Sequence, residues 1–230
     1  MKRIFFCGDP HGHFEHIIEA VHVHQPAAVV LLGDVQAQEP LEVALRPIVD
    51  RAEVWWIHGN HDTDSDADYD NLFASSLADR NLHGRVVEIA GVRIAGLGGI
   101  FRGQVWHPPS PPRYPSAEDF LAQCGKGNRW RNGLPRKHRS SIFPDHYAAL
   151  LQAKADVLVT HEAPSCHLHG FRAIDDLASS LGVATAFHGH HHQQIDYGQA
   201  AIEQLGFAPY SVGYCGIRDH LGRIVHHDRN

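Results

Sequence analysis

Five apolar runs in this sequence stop at residues able to hold a cation. Cys7-Gly8-Asp9-Pro10-His11 follows "RIFF" (3–6), Gly33-Asp34 follows "AVVLL" (28–32), and His58-Gly59-Asn60-His61-Asp62 follows "VWWI" (54–57). His161 follows "DVLVT" (156–160), and His188-Gly189-His190-His191-His192 follows "VATAF" (183–187). The donors on offer are carboxylate oxygen, amide oxygen and imidazole nitrogen, which suit divalent manganese, iron or zinc. They are more than one ion needs. Two ions about 3.5–4 Å apart, sharing a bridging carboxylate, would use them fully. Such a pair acidifies a bridging water and stabilises the attacking and leaving oxygens of an in-line displacement. That chemistry fits phosphate ester hydrolysis.

The donors need a scaffold. The five runs, with "VVEI" (86–89) and "VRIAGL" (92–97), read as short buried strands. Between them Phe14, Ile17, Ile18 and Val21 recur at helical spacing, as do Leu41, Leu45 and Ile48, where Pro47 interrupts or bends the helix. Further helices are expected near 144–153 and 172–181. Strands alternating with helices give an α/β layered fold. In such folds ligands gather outside the carboxyl ends of the strands, so the five tips are expected to converge. Near the C-terminus, "AAIEQL", "YSVGY" and "RIVHH" read as β-hairpins. The stretch from Gly99 to Pro144 stands apart. It is rich in proline and aromatic residues, and from Phe120 to Pro144 it carries six cations and no acid. A connection of this length reads as a lid-like insertion, about 99–144, in a single domain of 1–230. Arg102 and Arg129 are its expected substrate contacts, since guanidinium forks grip phosphate.

The ordered pattern D-x-H, G-D, G-N-H-D, H and G-H-x-H resembles the calcineurin-like metallophosphoesterases. Here it reads Asp9-Pro10-His11, Gly33-Asp34, Gly59-Asn60-His61-Asp62, His161 and Gly189-His190-His191-His192, and it spans residues 9 to 192. The resemblance implies two mixed β-sheets packed as a sandwich and flanked by helices, with the terminal hairpins in the second sheet. It implies that one ion takes Asp9, His11 and His192, the other takes Asn60, His161 and His190, and Asp34 bridges them. His61 would be the general acid and Asp62 would orient it. Residues two apart in extended chain point the same way, so His190 and His192 are expected to reach the site together while His191 turns away. His188 is expected to stand behind the ligands or to be a core neighbour. Manganese is the first expectation for both ions, with iron, zinc or nickel compatible. The implied substrate is a phosphorylated small molecule, a nucleotide or a phosphoprotein. The opening "GDPHGH" also resembles that of phosphoprotein phosphatases, but that branch's second motif, G-D-x-V-D-R-G, is here Gly33-Asp34-Val35-Gln36-Ala37-Gln38-Glu39. The acid and arginine of that motif are missing, which counts against a protein phosphatase.

Other readings use fewer of these residues. "HGHFEH" (11–16) resembles the H-x-H-x-D-H motif of metallo-β-lactamase-like hydrolases, with Glu15 in place of aspartate. A catalytically silent metal- or phosphate-binding module of the same fold is the reading from a different class. Asp9 alone would pass for a helix N-cap. Bulk properties narrow the rest. A net charge of −6 argues against strong nucleic-acid binding. Four scattered cysteines without a C-x-x-C pair fit a reducing compartment. With no signal-peptide pattern and no bilayer-length apolar run, a cytoplasmic, membrane-free protein is expected. Oligomeric state is left open.

Overall fold

The computed structural model describes residues 3–228. The elements follow one another as β1 (Ile4–Cys7), α1 (Glu15–His24), β2 (Ala28–Leu32), α2 (Leu41–Ala44), β3 (Glu53–Ile57), α3 (Asp66–Phe73), β4 (Arg85–Ile89), β5 (Val92–Leu97), α4 (Ala117–Gln123), α5 (Pro144–Leu151), β6 (Val157–Thr160), α6 (Arg172–Leu181), β7 (Thr185–His188), α7 (Gly198–Leu205), β8 (Ala208–Ser211), β9 (Ile217–Asp219) and β10 (Ile224–His226). They build two mixed five-stranded sheets, ordered β10-β9-β1-β2-β3 and β4-β5-β6-β7-β8.

Alternation along the strands apportions three cores. In the first sheet Ile4, Phe6, Val30, Leu32 and Ile57 face Ile94, Val159 and Phe187 of the second, and the Phe6 and Phe187 rings stack at 3.9 Å. The opposite side chains, Phe5, Val29, Leu31, Val54 and Trp56, pack on Ile17 and Val21 of α1 and on Leu41, Leu45 and Leu72. Ala95, Leu97, Leu158 and Ala186 turn outward from the second sheet onto Ile174, Leu177 and Leu181 of α6. The central strands β1, β2, β3, β5, β6 and β7 are therefore apolar on both faces. That is why the sequence shows continuous runs rather than polar–apolar alternation.

Strands β1, β2 and β3 are parallel, as are β5 to β8. Their carboxyl ends lie in step, with Leu32 beside Ile57 and Thr160 beside His188. All five tips singled out in the sequence therefore emerge on one edge of the sandwich.

Three expectations need correction. The run "AAIEQL" lies in helix α7, and of "YSVGY" only Tyr210 and Ser211 are strand, closing β8, which is parallel to β7. The one C-terminal hairpin among the described residues, β9–β10, joins the sheet of β1 and not the second sheet. The competing reading of Asp9 as a helix N-cap is not met, because α1 starts at Glu15. Helix α2 closes after one turn, as Pro47 suggested. No helix among the described residues is long and apolar enough to cross a membrane.

Candidate active site

The strand tips meet at one place, buried at Asp9, Asp34 and His161 and open to solvent at His61 and His192. Asp34 is its centre. Its Oδ2 lies 3.3 Å from His161 Nε2 and 4.0 Å from His11 Nε2, and its Oδ1 accepts the His61 amide at 2.8 Å. Asn60 Oδ1 is 3.3 Å from His161 Nε2, and Asp9 Oδ1 is 3.7 Å from His161 Nδ1. His11 Nε2 is 3.0 Å from His192 Nε2, and the His161 and His190 rings are 4.8 Å apart. Asp9 Oδ2 accepts the His190 amide at 2.8 Å, whereas its Oδ1 is buried without a hydrogen-bond partner. Ligand atoms of His11, Asp34 and His192 lie within 4.8 Å of one another, and so do those of Asp34, His161 and His190. Two three-ligand groups thus share one carboxylate. A buried bare oxygen together with clustered imidazoles is a donor set that fits divalent cations.

Outer partners fix how the imidazoles face. His11 Nδ1 donates to Gln36 Oε1 at 2.5 Å, and His161 Nδ1 donates to the Leu32 carbonyl at 2.8 Å. Each ring then presents Nε2 to the pocket, the arrangement metal-binding histidines use.

The backbone here is unusual. Asp9, His11, Asp34, His190 and His192 all have positive φ, between 36° and 72°, as does Gln36 at 41°. Non-glycine residues rarely adopt this region, and each costs on the order of 1–3 kcal/mol. The strain corrects the strand-parity argument for the histidine run. β7 ends at His188, so His190 and His192 reach the pocket through left-handed turns and not by alternation. Two glycines permit the crowding. A Cβ on Gly59 would lie 2.2 Å from Asp34 Oδ1, and one on Gly33 (φ +97°) would lie 2.4 Å from His161 Nδ1.

The profile of the calcineurin-like phosphoesterase family matches residues 2–194. The chain belongs to this family. It is therefore a metal-dependent phosphoesterase. A Haemophilus influenzae protein described only as uncharacterized is 43% identical over 222 residues, covering 96% of each chain. Among solved structures, one from Thermus thermophilus is 13% identical and covers 99% of this chain and 98% of its own, with a TM-score of 0.60. A second is 14% identical over 100% and 99%, with a TM-score of 0.58. Both share the fold.

Electrostatics in this phosphoesterase follow from burial. Desolvation pushes the Asp9 and Asp62 carboxyls up to about 7. It would also raise Asp34, but the adjoining His161 charge and the hydrogen bonds to Asp34 hold that carboxyl below the ordinary range. Burial works against charge on His161, yet Asp34 and Asp9 overrule it and lift His161 to about 10. His190 is pushed down to about 3 by burial and by the His161 charge, so it is neutral and ready to ligate.

The remaining expectations divide. His188 is buried and accepts from the Tyr197 hydroxyl at 2.9 Å, as a core neighbour would. His191 turns out of the pocket and stacks on His167 at 3.9 Å. Asp62 does not hold the His61 ring. Its two oxygens accept the amides of Gln36 and Gly59, at 2.9 and 2.7 Å, and tie the second strand tip to the third. Asp64 takes the expected place, with Oδ2 2.5 Å from His61 Nδ1. The motif "HGHFEH" does not assemble either, since His13 is exposed and His16 is buried against His226.

The basic segment is held down rather than poised. Arg129 donates to the Leu121 and Cys124 carbonyls inside its own loop, so it is not the expected substrate contact. Arg131 pairs with Asp70 and Asp66, Arg136 pairs with Asp66, and the Trp130 indole donates to Asp66. The acidic run after Asp62 is thus the counterpart of the cationic run. Arg102 differs. It is half-buried, one nitrogen donates to Ser140 Oγ at 3.1 Å, and Nε is buried without a hydrogen-bond partner. Burial lowers its pKa, and Asp64, Glu162 and Asp34 are near enough to oppose that shift. Sequence reasoning missed Gln36, Asp64 and the Leu32 carbonyl. Only their neighbourhood to predicted ligands hinted at them.

Proposed function

We propose that this phosphoesterase works at a two-cation centre, one ion held by Asp9, His11 and His192, the other by Asn60, His161 and His190, with Asp34 shared. The carrying observation is the pair of three-ligand groups that meet at Asp34. Manganese fits the oxygen- and imidazole-rich donors, with iron, zinc or nickel as substitutes. When bound, two such ions supply Lewis acidity to the phosphoryl oxygens and an acidified water as nucleophile.

The chain's own residues do the rest. His61 is 44% exposed at the pocket mouth, with Nδ1 committed to Asp64. Its Nε2 is the atom that gives a proton to the leaving oxygen. Burial lowers the His61 pKa, but the Asp64 hydrogen bond and the Asp34 charge outweigh it and raise the value, which favours the proton-carrying ring. Arg102 is the cation that meets the phosphoryl group, since it lies near enough to Asp64 and Asp34 for their charges to act on it. Asp62 ties the Asp34 and Asn60 loops together. The Gly99–Pro144 segment presses on the His61 loop through Ser140, whose Oγ is 2.8 Å from Thr63 Oγ1, and through Arg136, which donates to the Thr63 and Asp64 carbonyls. The substrate is a phosphorylated small molecule or nucleotide.

Metal-stripped protein reloaded stepwise with Mn2+ tests this reading on p-nitrophenyl phosphate and bis-p-nitrophenyl phosphate. Turnover should rise to a plateau at two equivalents per chain. A plateau at one equivalent contradicts the shared centre.

A further inference from the structure

A groove of about 890 Å³ opens beside the candidate metal pocket, with His190 and Glu162 in its lining. That volume lies within the usual range for small-molecule sites. Its outer walls are aromatic. Phe101 lies against Trp106 (ring centroids 5.0 Å) and against Phe171 (4.7 Å), and His107 lies edge-on to Phe171 at 5.2 Å. Arg172 and Asp176, both exposed, add polar groups at the rim. Trp106 is also coupled to the phosphate side. Its amide donates to the Arg102 carbonyl at 2.8 Å, so one tight turn carries both the proposed phosphate grip and an aromatic wall.

The geometry points to a subsite for the alcohol portion of the substrate, and that portion is a nucleoside. The inference rests on the hydrolytic reading above and adds the substrate class. A phosphoryl group at the pocket directs its ester oxygen and attached sugar into the groove. There a flat base stacks on aromatic faces while the polar rim meets its edge atoms. Aromatic side chains stack bases with little regard to sequence, because every base has a π-face. Phe101 and Phe171 are braced against each other, so the wall is formed before substrate arrives.

The test compares esters that differ only in the base. The manganese-loaded, full-length protein is given adenosine 5′-monophosphate against ribose 5-phosphate, and the methyl diesters of both. In whichever pair is hydrolysed, kcat/KM should favour the adenosine ester by about tenfold or more, within what one stacked base contributes. Trp106→Ala should bring the ratio towards one, and Trp106→Phe should restore most of it. A ratio near one in the unaltered protein, or an undiminished ratio in Trp106→Ala, overturns the subsite. If none of the four esters turns over, it is the hydrolytic reading that fails on these substrates. The groove is then judged alone by calorimetry with adenosine, ribose serving as control. Adenosine binding that Trp106→Ala removes supports the subsite, and no adenosine binding refutes it.

Discussion

The candidate metal pocket and the Gly99–Pro144 segment lie side by side and are built in opposite ways. The pocket is made of strand tips, with Asp9, Asp34 and His161 fully buried and five predicted ligands in left-handed backbone. The segment is made of loops around α4 and is held to α3 by exposed pairs such as Arg131–Asp70. The first is rigid because two packed sheets overdetermine it. The second buries its two ends, Phe101 and Ile142–Phe143, but its basic middle is anchored by contacts that water and salt weaken. Strain is tolerated only where the surrounding core is strong enough to impose it.

The largest effect should come from the residue both candidate ions share. Asp34→Ala is expected to abolish turnover and to lower bound metal below two per chain by elemental analysis. Full activity with this variant would dissolve the contrast. Gly59→Ala comes next, because its Cβ would lie 2.2 Å from Asp34 Oδ1. It should lose metal and activity together even though it removes no ligand.

His61→Ala should retain both ions and lower kcat by about 10²–10⁴-fold, the range of a general acid. Loss of metal instead would make His61 a ligand. Asp64→Asn and Asp62→Asn sharpen the point. Asp64→Asn should lower kcat less than His61→Ala does and shift the pH profile of turnover. Asp62→Asn should lower the melting temperature, because Asp62 accepts two amides in the interior.

Metal removal should expose the buried carboxyls. Asp9 and Asp62 stand near 7 against an ordinary value of 3.8, so the folded state binds their protons more tightly than the unfolded chain. Their contribution to stability is complete below about pH 4 and is lost as pH rises through about 7. His161, raised to about 10, acts in the same direction above its ordinary 6.5, while the lowered Asp34 matters only in acid. With chelator the melting temperature should therefore fall between pH 5 and 8. With manganese the slope should be shallower, since a cation keeps Asp9 ionised and replaces the proton on His161. Equal slopes would speak against Asp9 as a ligand. The smallest effect belongs to the segment. Arg131→Ala should leave turnover within about twofold and change stability only slightly, in a salt-dependent manner.

The same two regions differ in how far they could be read from the sequence. Strand tips were legible because a strand buried on both faces is an unbroken apolar run, and the polar residue that ends it is conspicuous. The two-sheet sandwich followed from the family's ordered motifs. The His190 and His192 turns were not legible, since alternation assumes extended chain and the backbone there is left-handed. Asp64 was hidden in the acidic stretch "TDSDAD" (63–68), where nothing in the sequence separates it from Asp66, the partner of Arg131 and Arg136. Arg129 misled for a related reason: a cation's sequence position does not say which carbonyls lie within its reach. Helix α7 reads as part of a hairpin in the sequence because Gly198 and Gly206, at its two ends, look like turn glycines.

The most direct test of the shared centre is anomalous scattering from a manganese-soaked crystal, recorded on both sides of the manganese absorption edge. A shared centre should give two peaks about 3.5–4 Å apart, one on each side of the Asp34 carboxylate. A single peak, or a pair that leaves Asp34 uncoordinated, would contradict it.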